Sequence, residues 1–416
     1  MVKIKAFKGV RPAKEYAAKV ASQPYDVLDS QEAREEAKGN DLSFLHIIKP
    51  EIDLPPDTDP YSNDVYNKAK ENFDKFLDKG ILRQDEQKCL YIYRQKMDQY
   101  EQTGLVAASA IDDYFNDSIK KHEYTRKEKE RDRINHMKTS GIHSGPVFLT
   151  YPDEPSIDQK IQYYAENNTP ENDFTADDGV QHTLWVIDDE QLIKEITELF
   201  EKEVPGTYIA DGHHRAASSA KVGKELREEQ PNYDGTEDFN YFLTVLFPAG
   251  QLNVFDYNRV VKDLNGLEKD DLISKLEETF EVEELGRIPY RPKKPHEFGM
   301  FLDKNWYLLE AKEGTFDDND PVERLDVSIL QNNVMNNILG ISDPRTDDRI
   351  DFVGGIRGLE ELEKRVANGE MAVAFALYPV TVQQLIEISD ANKIMPPKST
   401  WFEPKLRSGL IVHRFR

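Results

Sequence analysis

Short apolar runs alternate along this chain with stretches that carry apolar side chains at helical spacing. Residues 65–79 have the helical spacing, and Gly80 supplies a helix stop directly after them. Runs rich in β-branched and aromatic side chains predict buried strands at 89–93, 105–111, 145–151 and 179–187. The alternation of the two kinds of segment predicts helices packed on a sheet, that is, a mixed α/β fold.

Three further predictions follow from the same pattern. Residues 44–51 form an apolar run that meets a proline, and we predict a strand there with His46 as a core histidine. Residues 152–178 are acidic and are predicted to be a flexible insertion. The composition shifts near residue 265, so we predict a catalytic α/β core over 1–265 and a C-terminal α/β domain over 266–416 whose tail returns to the site.

The charge of the chain narrows the class of ligand. Its 416 residues include 78 acidic and 54 basic residues, a formal net charge of −24. A field of that sign repels phosphate backbones, so we expect no nucleic-acid partner. No apolar run approaches the length of a membrane span and the first ten residues lack a signal-peptide core, so we expect a cytoplasmic protein with no membrane partner. The single cysteine, Cys89, lies in an apolar run and is predicted to be a buried hydrophobe.

One stretch, TYIADGHHRAA at residues 207–217, concentrates the reactive side chains. A β-branched and aromatic run stops at Asp-Gly and continues as an alanine-rich segment, which predicts a strand, a tight turn and a helix. The first N–H groups of a helix point outward, and its dipole favours negative charge. A turn of this kind is therefore predicted to bind an anion such as phosphate.

Each residue of the turn suits phosphate in a different way. Gly212 lets the backbone approach a ligand, and the planar guanidinium of Arg215 matches phosphate oxygens. His213 or His214 can donate hydrogen bonds to a phosphoryl group near neutral pH. Asp211 could orient a histidine, hold a divalent cation or accept a proton from an attacking hydroxyl.

Other chemistries compete with phosphate binding as the role of this turn. The chain contains none of the common motifs for a phosphate loop, a dinucleotide loop, a nucleophile elbow or a zinc-binding helix. A transition-metal site would need a histidine from elsewhere, such as His46, His122 or His182, because adjacent histidines point in different directions. A purely structural role is disfavoured because four polar groups at one turn are hard to satisfy in a core.

The N-terminal part of the chain offers a second rigid turn. Pro24 holds the chain extended, and Asp29 and Glu32 have the spacing of a capping box for the helix that follows. Tyr25 and Asp26 are therefore predicted to be presented on a fixed turn. The local sequence is equally consistent with a turn that only connects two elements.

Three other clusters carry groups that suit the same ligand. A charged segment at 120–126 precedes a predicted helix, and its alternative interpretation is a solvated face. A glycine-rich turn at 354–358 carries one guanidinium, and the apolar, proline-rich tail at 394–405 carries lysines and hydroxyls. The side chains involved are His122, Glu123, Arg126, Arg357, Lys398, Ser399, Thr400 and Lys405.

Several motifs together resemble one large family. They are FKGVRP at 7–12, PYDV at 24–27, FLH at 44–46, KPE at 49–51, ADGHHR at 210–215 and MPPKST at 395–400. This set resembles the family catalogued as domain of unknown function 1015, which is often labelled ParB-like. That label implies a role in DNA partitioning, against which the charge of this chain argues.

The Asp-Gly-His-His-Arg turn is in addition similar to the phosphate-binding turn of the ParB/sulfiredoxin-like nucleotide-binding fold, and in particular to free L-serine kinases. The resemblance implies such a core, elaborated with additional mixed sheet and helices. It also implies Mg²⁺, with Asp211 as a ligand, and a nucleotide or pyrophosphate as phosphoryl donor. Those kinases use an N-terminal glutamate as general base, which no motif aligns here, so Asp26, Glu32 and Glu51 are candidates and Asp26 is favoured.

We therefore predict a small-molecule kinase that phosphorylates the hydroxyl of free L-serine, or runs in reverse. The alternatives are a non-enzymatic nucleotide-binding regulator and, third, a DNA-binding module. The partners are a free amino acid and a phosphoryl donor, and an oligomer is possible. The predicted catalytic residues are Asp26, Asp211, His213 and His214; the donor ligands are Gly212, His213, His214, Arg215, Arg126, Arg357 and Lys398; and the substrate ligands are Tyr25, His122 and Glu51.

Overall fold

The computed structural model describes residues 2–230 and 232–416. Strands and helices alternate along most of the chain. In chain order the strands are β1 (Ile4–Lys5), β2 (Gly9–Pro12), β3 (Leu82–Gln84), β4 (Leu90–Met97), β5 (Tyr100–Ala110), β6 (Ile119–Lys120), β7 (Ile142–His143), β8 (Val147–Tyr151), β9 (Asn172–Thr175), β10 (Gln181–Ile187), β11 (Thr207–Asp211), β12 (Tyr241–Pro248), β13 (Val254–Phe255), β14 (Tyr257–Val261), β15 (Phe280–Gly286), β16 (Glu297–Leu302), β17 (Asn305–Ala311), β18 (Ile350–Gly354), β19 (Val373–Leu377), β20 (Trp401–Phe402) and β21 (Val412–Arg414).

The helices are α1 (Ala17–Val20), α2 (Ser30–Glu36), α3 (Leu45–Ile48), α4 (Asn63–Asp78), α5 (Ile111–Phe115), α6 (Lys127–Ser140), α7 (Pro155–Asn167), α8 (Glu190–Glu203), α9 (His213–Glu229), α10 (Lys269–Leu276), α11 (Asp326–Leu330), α12 (Gly358–Ala367) and α13 (Val382–Asp390). The mixed α/β class predicted from the sequence is thereby confirmed. None of these helices in the described part of the chain is long and apolar enough to cross a bilayer.

The chain forms two compact units. The first comprises Met1–Leu252 together with Pro404–Arg416, and the second comprises Asn253–Glu403. The first unit thus ends before the boundary predicted near residue 265, and it includes the last residues of the chain. The reason is that β21 forms hydrogen bonds with β2 and β7, so the chain end belongs to the sheet of the first unit.

A nine-stranded mixed sheet organises the first unit. Its order is β6-β11-β8-β12-β5-β4-β10-β9, with β1 beside β5. β11 is parallel to β6 and antiparallel to β8, whereas β12 is parallel to β8. Apolar side chains from these strands and from α7 and α8 form one core, which includes Leu90, Ile92, Leu105, Ile196 and Phe200. Because α9 follows β11 directly, this sheet fixes where the helix begins.

A second core of the first unit lies under the four-stranded sheet β3-β2-β21-β7. Phe44, Leu45, Ile47 and Phe73 are buried in it. The segment 44–51, predicted as a strand, is helical instead, with α3 followed by a short 3₁₀ helix at Pro50–Asp53. Phe44, Leu45, Ile47 and Ile48 are buried while His46 and Lys49 are partly exposed, and an apolar run this short does not distinguish a strand from a buried helix by its periodicity.

The acidic segment 152–178, predicted to be flexible, is also ordered. It contains α7 and the edge strand β9, which pairs with β10. Pro155 occupies the first turn of α7, and the side chain of Glu154 accepts hydrogen bonds from the N–H and Oγ of Ser156. Ile157 and Ile161 are buried, so one apolar stripe holds an otherwise polar helix on the sheet.

The second unit is built on an antiparallel sheet. Its order is β15-β17-β16-β19-β14-β18, and every neighbouring pair is antiparallel. Val260, Phe301, Trp306 and Leu362 belong to its core. Strands β16 and β17 form a hairpin.

Candidate active site

The motif at 207–217 lies where strand β11 ends and helix α9 begins. The pairing of β11 with β8 shifts register between Ile209 and Asp211, at the point where the chain leaves the sheet. Gly212 then turns the chain with a φ of 95° and is the N-cap residue of the 17-residue helix α9. Residues with a Cβ atom rarely adopt this φ, so the turn requires glycine. The first N–H groups of α9 therefore point toward the turn.

Arg215 folds back from the first turn of α9 and covers Gly212. Its side chain is only 9% exposed. Nη1 donates to the carbonyl oxygen of Pro146, while Nη2 lies 3.5 Å from Asp26 Oδ2 and 3.7 Å from Asp211 Oδ2. The buried Nε has no acceptor among the described residues. Because buried donors are nearly always paired, this nitrogen marks a place where an acceptor is expected.

Asp211 lies between two cations of the first unit. Lys405 Nζ is 3.6 Å from Asp211 Oδ2, and Arg215 approaches the same oxygen. Burial alone would raise the pKa of Asp211, but the charges of Lys405 and Arg215 lower that pKa to about 2. A carboxylate with so low a pKa stays ionised at neutral pH and is a weak general base.

His213 is buried and holds the segment before α6 against the start of α9. Its Nε2 accepts a hydrogen bond from the backbone N–H of His122 at 3.4 Å, and the two rings meet edge to face. The proton of the neutral imidazole is then on Nδ1, which lies 3.8 Å from Glu123 Oε2. Burial lowers the pKa of His122 to about 4 and that of His213 well below its usual value, so both rings are neutral at pH 7.

His214 forms a second contact of the same kind. Its Nε2 accepts from the backbone N–H of Arg126 at 3.0 Å, and Arg126 is the N-cap residue of α6. Burial, with a contribution from the charge of Arg126, lowers the pKa of His214. The predicted ligands His122 and Arg126 thus reach the motif through their main-chain N–H groups, and the two histidines of the motif orient that segment.

The turn of Tyr25 and Asp26 lies beside the motif. Asp26 contacts Arg215 Nη2, and the guanidinium of Arg133 lies 4.1 Å from the centroid of the Tyr25 ring. Burial raises the pKa of Tyr25 to about 12, so its hydroxyl keeps the proton at neutral pH. The capping box of Asp29 and Glu32 forms as predicted and starts α2 directly after this turn.

The other two carboxylates considered as general bases have structural partners. Glu32 Oε2 accepts from the N–H of Asp29 at 2.8 Å. Glu51 is buried, accepts from Ser30 Oγ at 2.8 Å and lies 3.3 Å from Lys49 Nζ. Within the described contacts, Asp26 is the general-base candidate whose carboxylate contacts the guanidinium of Arg215.

Two predicted donor ligands belong to the second unit. Arg357 is exposed on a short turn before α12. Lys398 has a φ of 58°, and its Nζ lies 5.5 Å from the centroid of the Tyr257 ring. Their role in donor binding stays a prediction.

Two residues of the site were not assigned to it from the sequence. The sequence pattern places Lys405 among the lysines of the tail and Arg133 in a charged helix, and it gives neither residue a role in the site. Both are distant in sequence from the residues they contact, so local pattern carried no signal for the pairing. Lys405 lies between Pro404 and Leu406, where an exposed cation is less expected, whereas Arg133 lies in a charged run and carries no such signal.

The carboxylates near the motif are the oxygen ligands to which a divalent cation would bind. The described residues contain no group of three or more His, Cys, Asp or Glu side chains placed to hold a metal ion. Of the histidines considered for a transition metal, only His122 lies beside the motif, since His46 pairs with Asp53 and His182 with Tyr93. Mg²⁺ in phosphoryl-transfer sites uses one or two carboxylates plus phosphate oxygens, and Asp26 and Asp211 fit that smaller demand.

Comparison with known proteins gives one strong match and several weak ones. The family model described as "Protein of unknown function (DUF1015)" matches residues 4–328. No curated protein matches the chain. A conserved hypothetical protein from Pyrococcus furiosus is 15% identical with a TM-score of 0.35, and the match covers 73% of this chain and 93% of that one.

Two further solved structures are similar at the same level. Free serine kinase in complex with AMP is 14% identical with a TM-score of 0.36, covering 74% of this chain and 91% of the kinase. SbnI with a C-terminal truncation, from Staphylococcus aureus, is 10% identical with a TM-score of 0.30, covering 72% and 82% respectively. Sequence identities and TM-scores this low carry no argument about function, so the function must be inferred from the side chains of the site.

Proposed function

We propose that this chain, which belongs to the DUF1015 family of proteins of unknown function, is a phosphotransferase that moves a phosphoryl group onto the hydroxyl of a small molecule, with free L-serine as the acceptor. The donor is a nucleotide or pyrophosphate. The observation that carries the proposal is the buried guanidinium of Arg215, whose Nε finds no acceptor in the described parts of the chain and lies at the start of a long helix. A phosphate oxygen supplies the missing acceptor and also meets the N–H groups of the first helical turn.

The charges around this turn are balanced before a ligand arrives. Arg215 and Lys405 contribute two positive charges, and Asp26 and Asp211 contribute two negative ones. A donor carrying several negative charges would leave the cluster strongly negative. A Mg²⁺ ion held by Asp26 or Asp211 and by donor oxygens would supply the compensating positive charge. Electrostatic stabilisation of this kind is the main task of a phosphoryl-transfer site.

Asp26 is the general base in this proposal. It is a partly exposed carboxylate that Arg215 positions, whereas the low pKa of Asp211 suits it to hold cations. The acceptor oxygen forms a bond to the transferred phosphorus, the bond from that phosphorus to the bridging oxygen of the donor breaks, and the hydroxyl proton passes to Asp26. The remaining nucleotide or phosphate leaves with the electrons of the broken bond.

The two histidines of the motif support the same chemistry as neutral groups. Because each accepts a main-chain N–H at Nε2, each presents Nδ1–H as a donor. His214 is less buried than His213 and is the better placed of the two to donate toward a phosphoryl oxygen. The free L-serine acceptor rests on the resemblance of the Asp-Gly-His-His-Arg turn to the serine kinases.

The test is a donor screen with the full-length protein. ATP, ADP, CTP and pyrophosphate are each offered with L-serine and Mg²⁺, and phosphorus NMR detects O-phosphoserine. We expect turnover with at least one donor, and loss of at least 100-fold in kcat/KM for Arg215→Ala. Arg345→Ala, which removes an exposed guanidinium paired with Asp343 in the second unit, is the matched control and should leave turnover unchanged.

Because Arg215 also donates to Pro146, thermal unfolding of Arg215→Ala and Arg215→Lys accompanies the assay. Arg215→Lys keeps the charge but loses the planar fork, so it should fold and remain impaired. Full activity in either folded variant contradicts the proposal. Tight nucleotide binding by the wild type without turnover with any hydroxyl acceptor favours a nucleotide-binding regulator instead.

A further inference from the structure

The C-terminal segment of the first unit, Pro404–Ser408, is held against the large sheet by buried polar contacts. The carbonyl oxygen of Lys405 accepts from Gln95 Nε2 at 2.8 Å, and Gln102 Nε2 donates to Gln95 Oε1 at 3.0 Å. Gln95 and Gln102 are both almost fully buried. Buried amide bonds of this kind fix the main chain of Lys405, because leaving either amide unpaired would be costly.

Two residues further on, Arg407 anchors the segment a second time. Its N–H donates to Tyr93 Oη at 3.4 Å, its Nε donates to His182 Nε2 at 3.4 Å, and its guanidinium pairs with Asp178. Tyr93 Oη and His182 Nδ1 are 2.7 Å apart, so the three side chains form one connected network. Burial lowers the pKa of His182 to about 3, which keeps the imidazole neutral beside the guanidinium.

The last residues then complete the attachment. Ser408 exchanges two main-chain hydrogen bonds with Ser22, and β21 pairs with β2 and β7. The Lys405 side chain, fixed at its base, extends to Asp211 and is 17% exposed. The position of the Lys405 cation beside the motif is thus fixed by the hydrogen bonds of its main chain and does not depend on the length of its side chain alone.

The ion pairs at the motif are longer than two other arginine–carboxylate pairs of the same unit. The contacts of Arg215 with Asp26 and Asp211, and of Lys405 with Asp211, measure 3.5, 3.7 and 3.6 Å. By contrast, Arg11 lies 2.7 Å from Asp85 and Arg227 lies 2.6 Å from Asp112. Charge-assisted hydrogen bonds to carboxylates normally measure about 2.7–2.9 Å. The contacts of these cations with Asp26 and Asp211 are therefore longer than direct charge-assisted hydrogen bonds.

From this geometry we propose that Lys405 is a ligand of the donor phosphate, held by Asp211 until the donor binds. The inference rests on the proposed function and adds a binding residue to it. When a phosphate enters beside Arg215, Nζ of Lys405 exchanges Asp211 for a phosphate oxygen, and the carboxylate of Asp211 would then be available to hold a divalent cation bound with the donor. The chain end is thereby part of the donor site, and Gln95 and Arg407 are positioning residues that act through Lys405.

The first experiment measures pyrophosphate binding by calorimetry in the presence of Mg²⁺, with wild type, Lys405→Met, Lys405→Arg and the exposed control Lys202→Met. We expect Lys405→Met to bind at least 10-fold more weakly, Lys405→Arg to recover most of that loss, and Lys202→Met to match wild type. In steady state the KM for the donor should rise in Lys405→Met while the KM for serine is unchanged. Gln95→Leu should raise the donor KM in the same direction, with the charge of Lys405 intact.

A second measurement uses the wild type alone, so it is independent of how the variants fold. Lysines are acetylated in the presence and absence of pyrophosphate, and the extent of modification is read by mass spectrometry. Lys405 should be protected by pyrophosphate, while Lys202 is modified equally in both samples. Unchanged binding by Lys405→Met, or no protection of Lys405 in a wild type that binds pyrophosphate, overturns this inference alone. A wild type that binds neither pyrophosphate nor any nucleotide overturns the proposed function, and this inference with it.

Discussion

The guanidinium of Arg215 packs directly on the Cα atom of Gly212, where an added Cβ atom would lie 3.1 Å from Nε and 3.2 Å from Cζ. Gly212 also has a φ of 95°, so two separate constraints require glycine at this position. The pair places the Nε of Arg215, which has no acceptor within residues 2–230 and 232–416, at the start of α9, and the proposed phosphate site depends on this arrangement.

Gly212→Ala should therefore lose more than the usual penalty for a positive φ. We expect a loss of about 2–3 kcal/mol in the free energy of unfolding and a displaced Arg215, with pyrophosphate binding weakened at least 10-fold. Gly39→Ala is the matched control, because Gly39 has a φ of 78° and nothing within 4 Å of an added Cβ atom. That control should lose about 1 kcal/mol with no change in binding. Equal penalties and equal binding in the two variants would show that Arg215 does not rest on Gly212.

The two carboxylates at Arg215 should respond differently to conversion to amides. Asp26→Asn removes the proposed base, so kcat should fall by about 100-fold or more with little change in pyrophosphate binding. Asp211→Asn frees Arg215 and Lys405 from a competing carboxylate, so pyrophosphate binding without Mg²⁺ should become tighter than in wild type. Calorimetry with and without Mg²⁺, together with turnover, separates the roles. A larger fall in kcat for Asp211→Asn than for Asp26→Asn would mean that Asp211, and not Asp26, is the general base.

Buried neutral histidines should make the first unit sensitive to acid. Burial lowers the pKa of His413 to about 3, and its Nδ1 lies 3.0 Å from His143 Nδ1 between Phe7 and Phe415. In the unfolded chain the pKa of a histidine is about 6.5, so the unfolded state binds the extra proton first. The free energy of unfolding should accordingly fall as the pH drops from about 6.5 toward 4.

Two substitutions test this linkage with opposite signs. His413→Leu removes one such group, so its unfolding free energy should fall less steeply between pH 6.5 and 4 than that of wild type. The hydrogen bond to Asp53 raises the pKa of His46, so the stability that this group adds is present below about pH 6.5 and is lost as the pH rises above that value, and His46→Gln should remove this loss. Denaturant titrations at several pH values measure both slopes, and slopes parallel to wild type in both variants would contradict the prediction.

Asp326 makes the stability of the second unit depend on pH, in a higher pH range than the histidines do for the first unit. Burial raises the pKa of its carboxyl to about 7, and its Oδ2 has no hydrogen-bond partner among the described residues. The folded state therefore holds a proton that the unfolded state has released, and the stability of this unit should fall as the pH rises from about 4 through 7. Asp326→Asn imitates the protonated form, so at pH 8 it should be more stable than wild type by on the order of 2–4 kcal/mol.

The comparison is made at pH 5 and pH 8. The difference between Asp326→Asn and wild type should be small at pH 5 and large at pH 8. Asp343→Asn, at an exposed carboxylate paired with Arg345, is the control for a general effect of charge and should show no such gain. A gain of equal size at both pH values would mean that the carboxyl of Asp326 does not titrate in this window.

Much of the fold could be predicted from local sequence, because hydrophobic period and capping chemistry act over a few residues. The capping box at Asp29 and Glu32, the hairpin of β16 and β17, and the strand, glycine turn and helix of the motif all have such local causes. The segment 44–51 was predicted wrongly because so short an apolar run contains too few residues for its period to separate a strand from a helix. The segment 152–178 was predicted wrongly because one apolar stripe is enough to dock a polar helix on a sheet.

What the sequence by itself determined is the chemistry of one turn: a glycine that must take a positive φ, a helix start behind it, and side chains suited to phosphate. What only the tertiary structure decided is which groups face that turn. Asp26 from the N-terminal turn and Lys405 from the chain terminus meet Asp211 and Arg215 because sheet pairing and buried polar contacts bring distant segments together. Such contacts depend on the packing of the whole first unit, and no local periodicity encodes them.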